Sequence, residues 1–159
     1  MNKHLFTTAA ALIVLMFAAL SSGFAQSDSA NCDNRLIKGN YGFTVQGTKL
    51  AGLGPTGLQV GVAMTEFDGE GNFSQIDTVT IGGTVVADFT HSPAAGKYTV
   101  NADCTGDFAL IFTDGRPPVT ASFVVVDDGN EIDTVVTSAA GAQGILATGS
   151  IGKRRFRRH

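Results

Sequence analysis

The sequence predicts an all-β protein, built as a single small antiparallel meander β-barrel of about eight or nine strands. No stretch after residue 30 keeps the apolar period of a helix, and short runs rich in Val, Thr, Phe and Ile recur instead. Gly, Asp and Asn punctuate these runs at short intervals. Connections this short favour antiparallel neighbours, and closing the meander into a barrel removes the exposed edges.

The predicted strands follow one another along the whole chain after residue 40. They are Tyr41–Thr48, Gly57–Phe67, Phe73–Ile81, Thr84–Thr90, Lys97–Asp103, Asp107–Thr113, Val119–Val126, Glu131–Ser138 and Gly144–Ile151. The predicted organisation is therefore an N-terminal segment over residues 26–40, a barrel over residues 41–152 and a basic C-terminal tail over residues 153–159.

Residues 1–25 have the composition of a secretory signal peptide. Lys3 and His4 precede an apolar run from Leu5 to Leu20, which is short for a bilayer span of about 20 residues, and small residues lead to a cleavage site after Ala25. An uncleaved anchor is the alternative. We expect an exported protein, periplasmic or extracellular, with no membrane span.

The two cysteines, Cys32 and Cys104, both lie beyond the predicted cleavage site. An even pair in an oxidising compartment favours a disulfide, and no C-x-x-C pattern or neighbouring basic cluster indicates redox chemistry. We therefore expect a structural cross-link between Cys32 and Cys104.

Charge is distributed unevenly along the 159 residues. The chain carries 14 Asp and Glu, all before residue 134, and five of its 11 Lys and Arg stand in the last seven residues. An acidic body does not attract nucleic acid. The basic tail predicts either a frayed terminus or contact with anionic surface polymers.

Hairpin pairing in the second half places the apolar side chains on one face. A loop at Cys104–Gly106 sets Tyr98 against Phe112, and a loop at residues 114–117 sets Phe108 against Phe123. A loop at residues 127–130 sets Phe123 against Thr134. The candidate lining residues are Tyr98, Val100, Phe108, Leu110, Phe112 and Phe123.

Two registers stay open in the first half. Pairing Phe67 with Phe73 sets Thr65 and Ala63 on the face of Gln75 and Asp77, whereas a slip of one residue sets Val60, Val62, Met64 and Glu66 there. A turn at residues 82–83 would place Asp77 opposite Asp88, where one carboxyl of the pair has a raised pKa. A solvated pair or another register is the alternative.

Composition also argues against metal and cofactor sites. Only His91 and His159 follow the predicted cleavage site, too few for a zinc site once both cysteines are oxidised, and no glycine-rich phosphate loop opens a helix. The segment from Asp68 to Asn72 lacks the EF-hand spacing and is read as a hairpin turn. We expect no cofactor and no metal.

Four segments together resemble a group of small exported bacterial β-barrel proteins. They are Cys32 with Leu36-Ile-Lys-Gly-Asn-Tyr-Gly-Phe43, Phe67-Asp-Gly-Glu-Gly-Asn-Phe73, Gly96-Lys-Tyr-Thr-Val-Asn-Ala-Asp-Cys-Thr-Gly106 and Val125-Val-Asp-Asp-Gly-Asn-Glu-Ile132. The resemblance implies a barrel similar to those of lipocalins or allene oxide cyclases. It implies no catalytic residue.

The sequence thus favours a binding module whose interior holds a small apolar molecule, or a scaffold that acts through its surface. The same lining would equally form a packed core. A cyclase or isomerase with Glu66 or Asp77 as general base, and Asp88 as a further candidate carboxylate, is the alternative.

Overall fold

The computed structural model describes residues 31–90, 94–113, 117–139 and 144–155. Nine strands make up most of this part of the chain. They are β1 (Gly39–Ala51), β2 (Gly57–Phe67), β3 (Asn72–Ile81), β4 (Thr84–Ala87), β5 (Ala94–Val100), β6 (Thr105–Phe112), β7 (Val119–Val126), β8 (Glu131–Ala139) and β9 (Ile145–Arg154). Two short 3-10 turns, Asn34–Ile37 and Asp127–Gly129, complete the described elements.

Eight of the strands close into an antiparallel barrel, which confirms the predicted fold. Each strand pairs with its neighbour in the chain, β3 pairs with β5 across the β4 excursion, and β9 returns to β1. Strand β4 pairs with β3 and is additional to the eight strands that form the barrel. We call the end that holds Cys32 and the turn after β2 the lower end, and the end where β1 stops the upper end.

The barrel is longer than predicted on both sides. Strand β1 begins at Gly39 and β9 continues to Arg154, so that two residues assigned to the basic tail belong to the sheet. The remaining tail residues, 156–159, the predicted signal peptide and His91 lie outside the described residues.

Two predicted hairpin registers are wrong. Tyr98 pairs with Phe108 rather than Phe112, because the turn closes at Cys104, whose N–H donates to the carbonyl of Asn101 (3.0 Å). Phe108 pairs with Ala121 rather than Phe123, so the β6–β7 ladder is shifted by two residues from the predicted one. Both observed registers differ from the predicted ones by an even number of residues, so the same apolar side chains still face the barrel interior.

The other registers are decided by the structure. Phe67 pairs with Phe73 and Thr65 with Gln75, whereas the slipped alternative is wrong. The pairing of Phe123 with Thr134 is confirmed. The predicted opposition of Asp77 and Asp88 is wrong, because a bulge shifts β4 and this strand ends at Ala87.

Aromatic rings fill the lower half of the barrel. Phe67 is the centre of this layer, with ring centroids 5.5 Å from Tyr41, 5.7 Å from Phe73 and 4.9 Å from Tyr98. Edge-to-face pairs of this kind add stability to the burial of the rings themselves. The lower half is therefore a packed core.

Glycine makes room for these rings at the barrel wall. A Cβ on Gly152 would lie 2.3 Å from two ring atoms of Phe43, its partner on β1, and a Cβ on Gly106 would lie 2.3 Å from the ring of Phe123. Real side chains do not approach so closely, so any larger residue must displace a ring.

The N-terminal segment covers the lower end of the barrel. Ile37 and Tyr41 are fully buried there, and the Tyr41 hydroxyl donates to the carbonyl of Gly129. The Tyr98 hydroxyl donates to the carbonyl of Asn34 (3.1 Å) and accepts from the N–H of Gly69 (2.9 Å). Burial raises the pKa of both phenols, that of Tyr41 to about 12.

The predicted disulfide between Cys32 and Cys104 is confirmed. The two Cα atoms lie 5.1 Å apart, and the bond joins positions 72 residues apart. It anchors the N-terminal segment to the turn between β5 and β6.

We predict that Gly152→Ala lowers the free energy of unfolding by about 1–3 kcal/mol, because the added methyl overpacks the ring of Phe43. Denaturant titration measures this loss. Gly42→Ala is the matched control, since a Cβ there meets nothing within 4 Å. Equal stability of the two variants would contradict the packing described here.

We predict that neither tyrosine ionises near its ordinary pKa of about 10 while the protein is folded. The stability gained from burying the neutral phenol of Tyr41 is complete below pH 10 and is lost as the pH rises through about 12. Phenolate absorbance reports this directly, because the chain has two Tyr and no Trp. The Tyr98→Phe variant isolates Tyr41, and ionisation near pH 10 in that folded variant would refute the prediction.

We predict that replacing both cysteines by Ser lowers the free energy of unfolding by roughly 4 kcal/mol, the chain-entropy value for a loop of 72 residues. Comparing the variant with the oxidised parent in denaturant measures the difference. A parent that keeps its stability on full reduction would show that the cross-link contributes nothing.

Candidate functional site

The upper half of the barrel is hollow. It encloses a cavity of about 170 Å³ directly above the aromatic layer. Its apolar wall consists of Phe43, Val45, Ala63, Phe67, Phe73, Val79, Ile81, Val86, Ala87, Phe108, Leu110, Phe112, Val119, Val136 and Leu146. Its polar wall consists of Lys49, Gln59, Thr65, Gln75, Asp77, Thr134, Thr148 and Ser150, with backbone from Gly149.

Small side chains in the middle of β1 and β2 make room for the cavity. Alternate positions along β2 read Phe67, Thr65, Ala63 and Gly61 from the lower end upward. Side chains of a strand alternate between the two faces, so these positions belong to one face. Strand β1 shows the same order, from Tyr41 through Phe43 and Val45 to Gly47.

A chain of hydrogen bonds crosses from β2 to β3 on the polar wall. Thr65 Oγ1 donates to Gln75 Oε1 (2.9 Å), and Gln75 Nε2 donates to Asp77 Oδ2 (3.1 Å). Thr65 and Gln75 meet because they are register partners. Asp77 is 7% exposed, so its carboxylate belongs to the barrel interior.

Two more polar pairs line the cavity, one between β9 and β2 and one between β8 and β9. Thr148 Oγ1 donates to Gln59 Oε1 (3.1 Å), and the hydroxyls of Thr134 and Ser150 are 2.6 Å apart. These residues satisfy one another, which lowers the cost of placing polar groups inside.

Lys49 is the most unusual residue of the wall. It is 6% exposed and lies near the upper end of β1, and its Nζ donates to the backbone carbonyl of Leu53. Lysine is almost never buried to this extent without a charged partner.

Exposed apolar side chains line part of the upper end of the barrel. They come from the ends of β1, β2 and β9, from β4 and from the segments next to them, and they are Leu50, Leu53, Leu58, Val85, Val86, Phe89 and Ile145. The sequence has no charged residue between Lys49 and Glu66. An apolar molecule that approaches the cavity over the β1–β2 connection therefore displaces little charge hydration.

The predicted lining residues fall into two sets. Phe108, Leu110 and Phe112 lie on the cavity wall. Tyr98, Val100 and Phe123 are buried inside the barrel but belong to the packed lower half, beneath the cavity. A ligand-binding role for the first set stays a prediction.

The candidate carboxylates are distributed differently from the sequence prediction. Asp77 lies on the cavity wall, but Glu66 is exposed on the outer face of β2, and Asp88 follows β4 and accepts from the N–H and hydroxyl of Thr90 (2.9 and 2.6 Å). The cavity therefore holds neither Glu66 nor Asp88, because one points outward and the other lies beyond its strand.

Sequence reasoning missed Lys49, Gln59, Gln75 and Thr148. Long polar residues in strands are ordinarily placed on the solvent face, and that rule fails in a hollow barrel. Of the two registers that the sequence left open for β2 and β3, one placed Thr65 beside Gln75, and this was the one sequence signal for a polar interior.

The segment from Asp68 to Asn72 is a hairpin turn. The Asp68 carboxylate accepts from the N–H groups of Glu70 (2.7 Å) and Asn72 (2.9 Å) and from the Asn72 side chain, which lowers its pKa to about 2.

Within the described ranges, no three His, Cys, Asp or Glu residues lie together as a metal site would require. In the same part of the chain, no helix has the length and apolar character needed to cross a membrane.

Comparison with known proteins returns no relative of this chain: no family model, no curated protein and no solved structure matches it. The resemblance to exported bacterial barrels therefore stays a prediction. Function has to be inferred from the cavity itself.

Proposed function

We propose that the protein is an exported, non-enzymatic binding module that holds a small, mainly apolar molecule in the upper half of its barrel. The observation that carries this proposal is the cavity of about 170 Å³ above the aromatic layer. Protein interiors are normally packed with few voids larger than a water molecule. A void of this size in a barrel with a tightly packed lower half favours a ligand site over a packing defect.

The size of the cavity limits the ligand. A cavity of roughly 150 Å³ is enough for one benzene-sized molecule. We therefore expect a ligand with about one aromatic ring, or a short aliphatic chain, inside the barrel.

The chemistry of the wall supports the same class. Phe108, Leu110 and Phe112 form part of a continuous apolar surface, and a few polar groups are concentrated on the opposite strands. Such a combination, with apolar walls for affinity and few polar groups for orientation, is typical of small-molecule sites.

Export is part of the proposal. The composition of residues 1–25 predicts a signal peptide, and the disulfide between Cys32 and Cys104 suits an oxidising compartment. Periplasmic and extracellular locations both agree with these features.

The enzymatic alternative has less support. Glu66 is on the outer face, so Asp77 is the one carboxylate of the described residues that lines the cavity. Asp77 is already bound to Gln75. We assign it to the hydrogen-bond network of the cavity wall.

We predict that Ala63→Leu abolishes binding of a one-ring probe such as toluene without unfolding the barrel, because the larger side chain fills the cavity next to Asp77. Titration calorimetry measures the binding, and near-ultraviolet circular dichroism of the tyrosines verifies the fold. Val62→Leu is the matched control, since Val62 is the neighbouring residue on the outer face and is half exposed.

Loss of binding in Ala63→Leu but not in Val62→Leu is the expected result. Equal binding by both variants, or none by the parent protein, would overturn the proposal. Native mass spectrometry of protein purified from its own source then identifies the natural ligand by its mass.

A further inference from the structure

We infer that the ligand carries a carboxylate or another single anionic group, which the ammonium of Lys49 binds at the upper end of the cavity. This inference rests on the proposed function and specifies the class of ligand. It starts from the position of one buried cation on the cavity wall.

The hydrogen bonding of Lys49 is incomplete. A lysine ammonium has three N–H donors. One of them is used by the carbonyl of Leu53, and no further hydrogen bond or ion pair of this ammonium occurs within the part of the chain that the structure describes. Burying an ammonium with unused donors costs desolvation free energy, and an anion bound in the cavity would offset much of that cost.

The second charge in the cavity sets the direction of the ligand. Asp77 pairs with Ala63, which in turn pairs with Phe43, whereas Lys49 lies six residues farther along β1. An anionic group is repelled by Asp77 and attracted by Lys49, so it binds near the upper end. The apolar body of the ligand then extends down between Leu110 and Phe43, toward the aromatic layer.

Charge selectivity follows from burial. An ion pair exposed to solvent contributes little, but a charged hydrogen bond shielded from water is among the strong ones. Lys49 is 6% exposed, so its side chain has little access to solvent.

Three probes of one shape test the inference: benzoate, benzyl alcohol and benzylamine, titrated at neutral pH into the full mature protein. We expect benzoate to bind about tenfold or more tightly than benzyl alcohol, the range of one charged hydrogen bond, and benzylamine to bind more weakly than benzoate. Lys49→Met should remove the preference for benzoate and retain binding of benzyl alcohol. Lys97→Met, on the outer face of β5, is the control and should retain the preference.

The outcomes separate this inference from the proposed function. Three results would overturn the inference that the ligand is anionic and leave the proposed binding module unaffected. They are equal binding of benzoate and benzyl alcohol, a preference for benzoate that survives in Lys49→Met, and tightest binding of benzylamine. Absence of binding by all three probes would overturn both. Lys49→Arg, which keeps the charge, should keep the preference for benzoate and so excludes a general packing effect of Lys49→Met.

Discussion

The guanidinium of Arg154 joins the segments that close the lower end of the barrel. It donates to the backbone carbonyls of Gly129 (3.1 and 2.8 Å), Lys38 (2.6 Å) and Leu36. It also lies 4.9 Å from the ring centroid of Tyr41. One side chain of the last strand thereby fixes the N-terminal segment, the first strand and the β7–β8 connection. Only arginine presents enough donors in a rigid plane for this arrangement.

That closed end allows the other half of the barrel to be hollow. Polar groups and a void above the aromatic layer contribute less hydrophobic stabilisation than a packed core would. The rings around Phe67, the buried Ile37 and the disulfide are concentrated at the opposite end. The packed core and the cavity therefore occupy different halves of one barrel, and the small side chains in the middle of β1 and β2 mark the boundary.

The fold and its inner face could be predicted from the sequence because alternation and turn residues are local signals. The even register shifts at Tyr98 and Phe108 left the prediction of the inner face intact, since the pleat repeats every two residues. The site was predicted only in part. Phe108 and Phe112 follow from alternation, but Gln59 meets Thr148 across β1 because β9 pairs with β1 to close the barrel, which no local pattern encodes. Arg154 was assigned to the tail for the same reason.

The placement of ionisable groups supports the division of the barrel. In the lower half the interior groups next to the core are phenols, which stay neutral because burial raises their pKa. In the upper half the wall carries Lys49 and Asp77, the two kinds of group that a packed interior tolerates least. A core selected for stability alone would have replaced both with apolar residues of similar size, often at no loss of stability. Their presence beside a void is what the proposed binding of an anionic ligand requires.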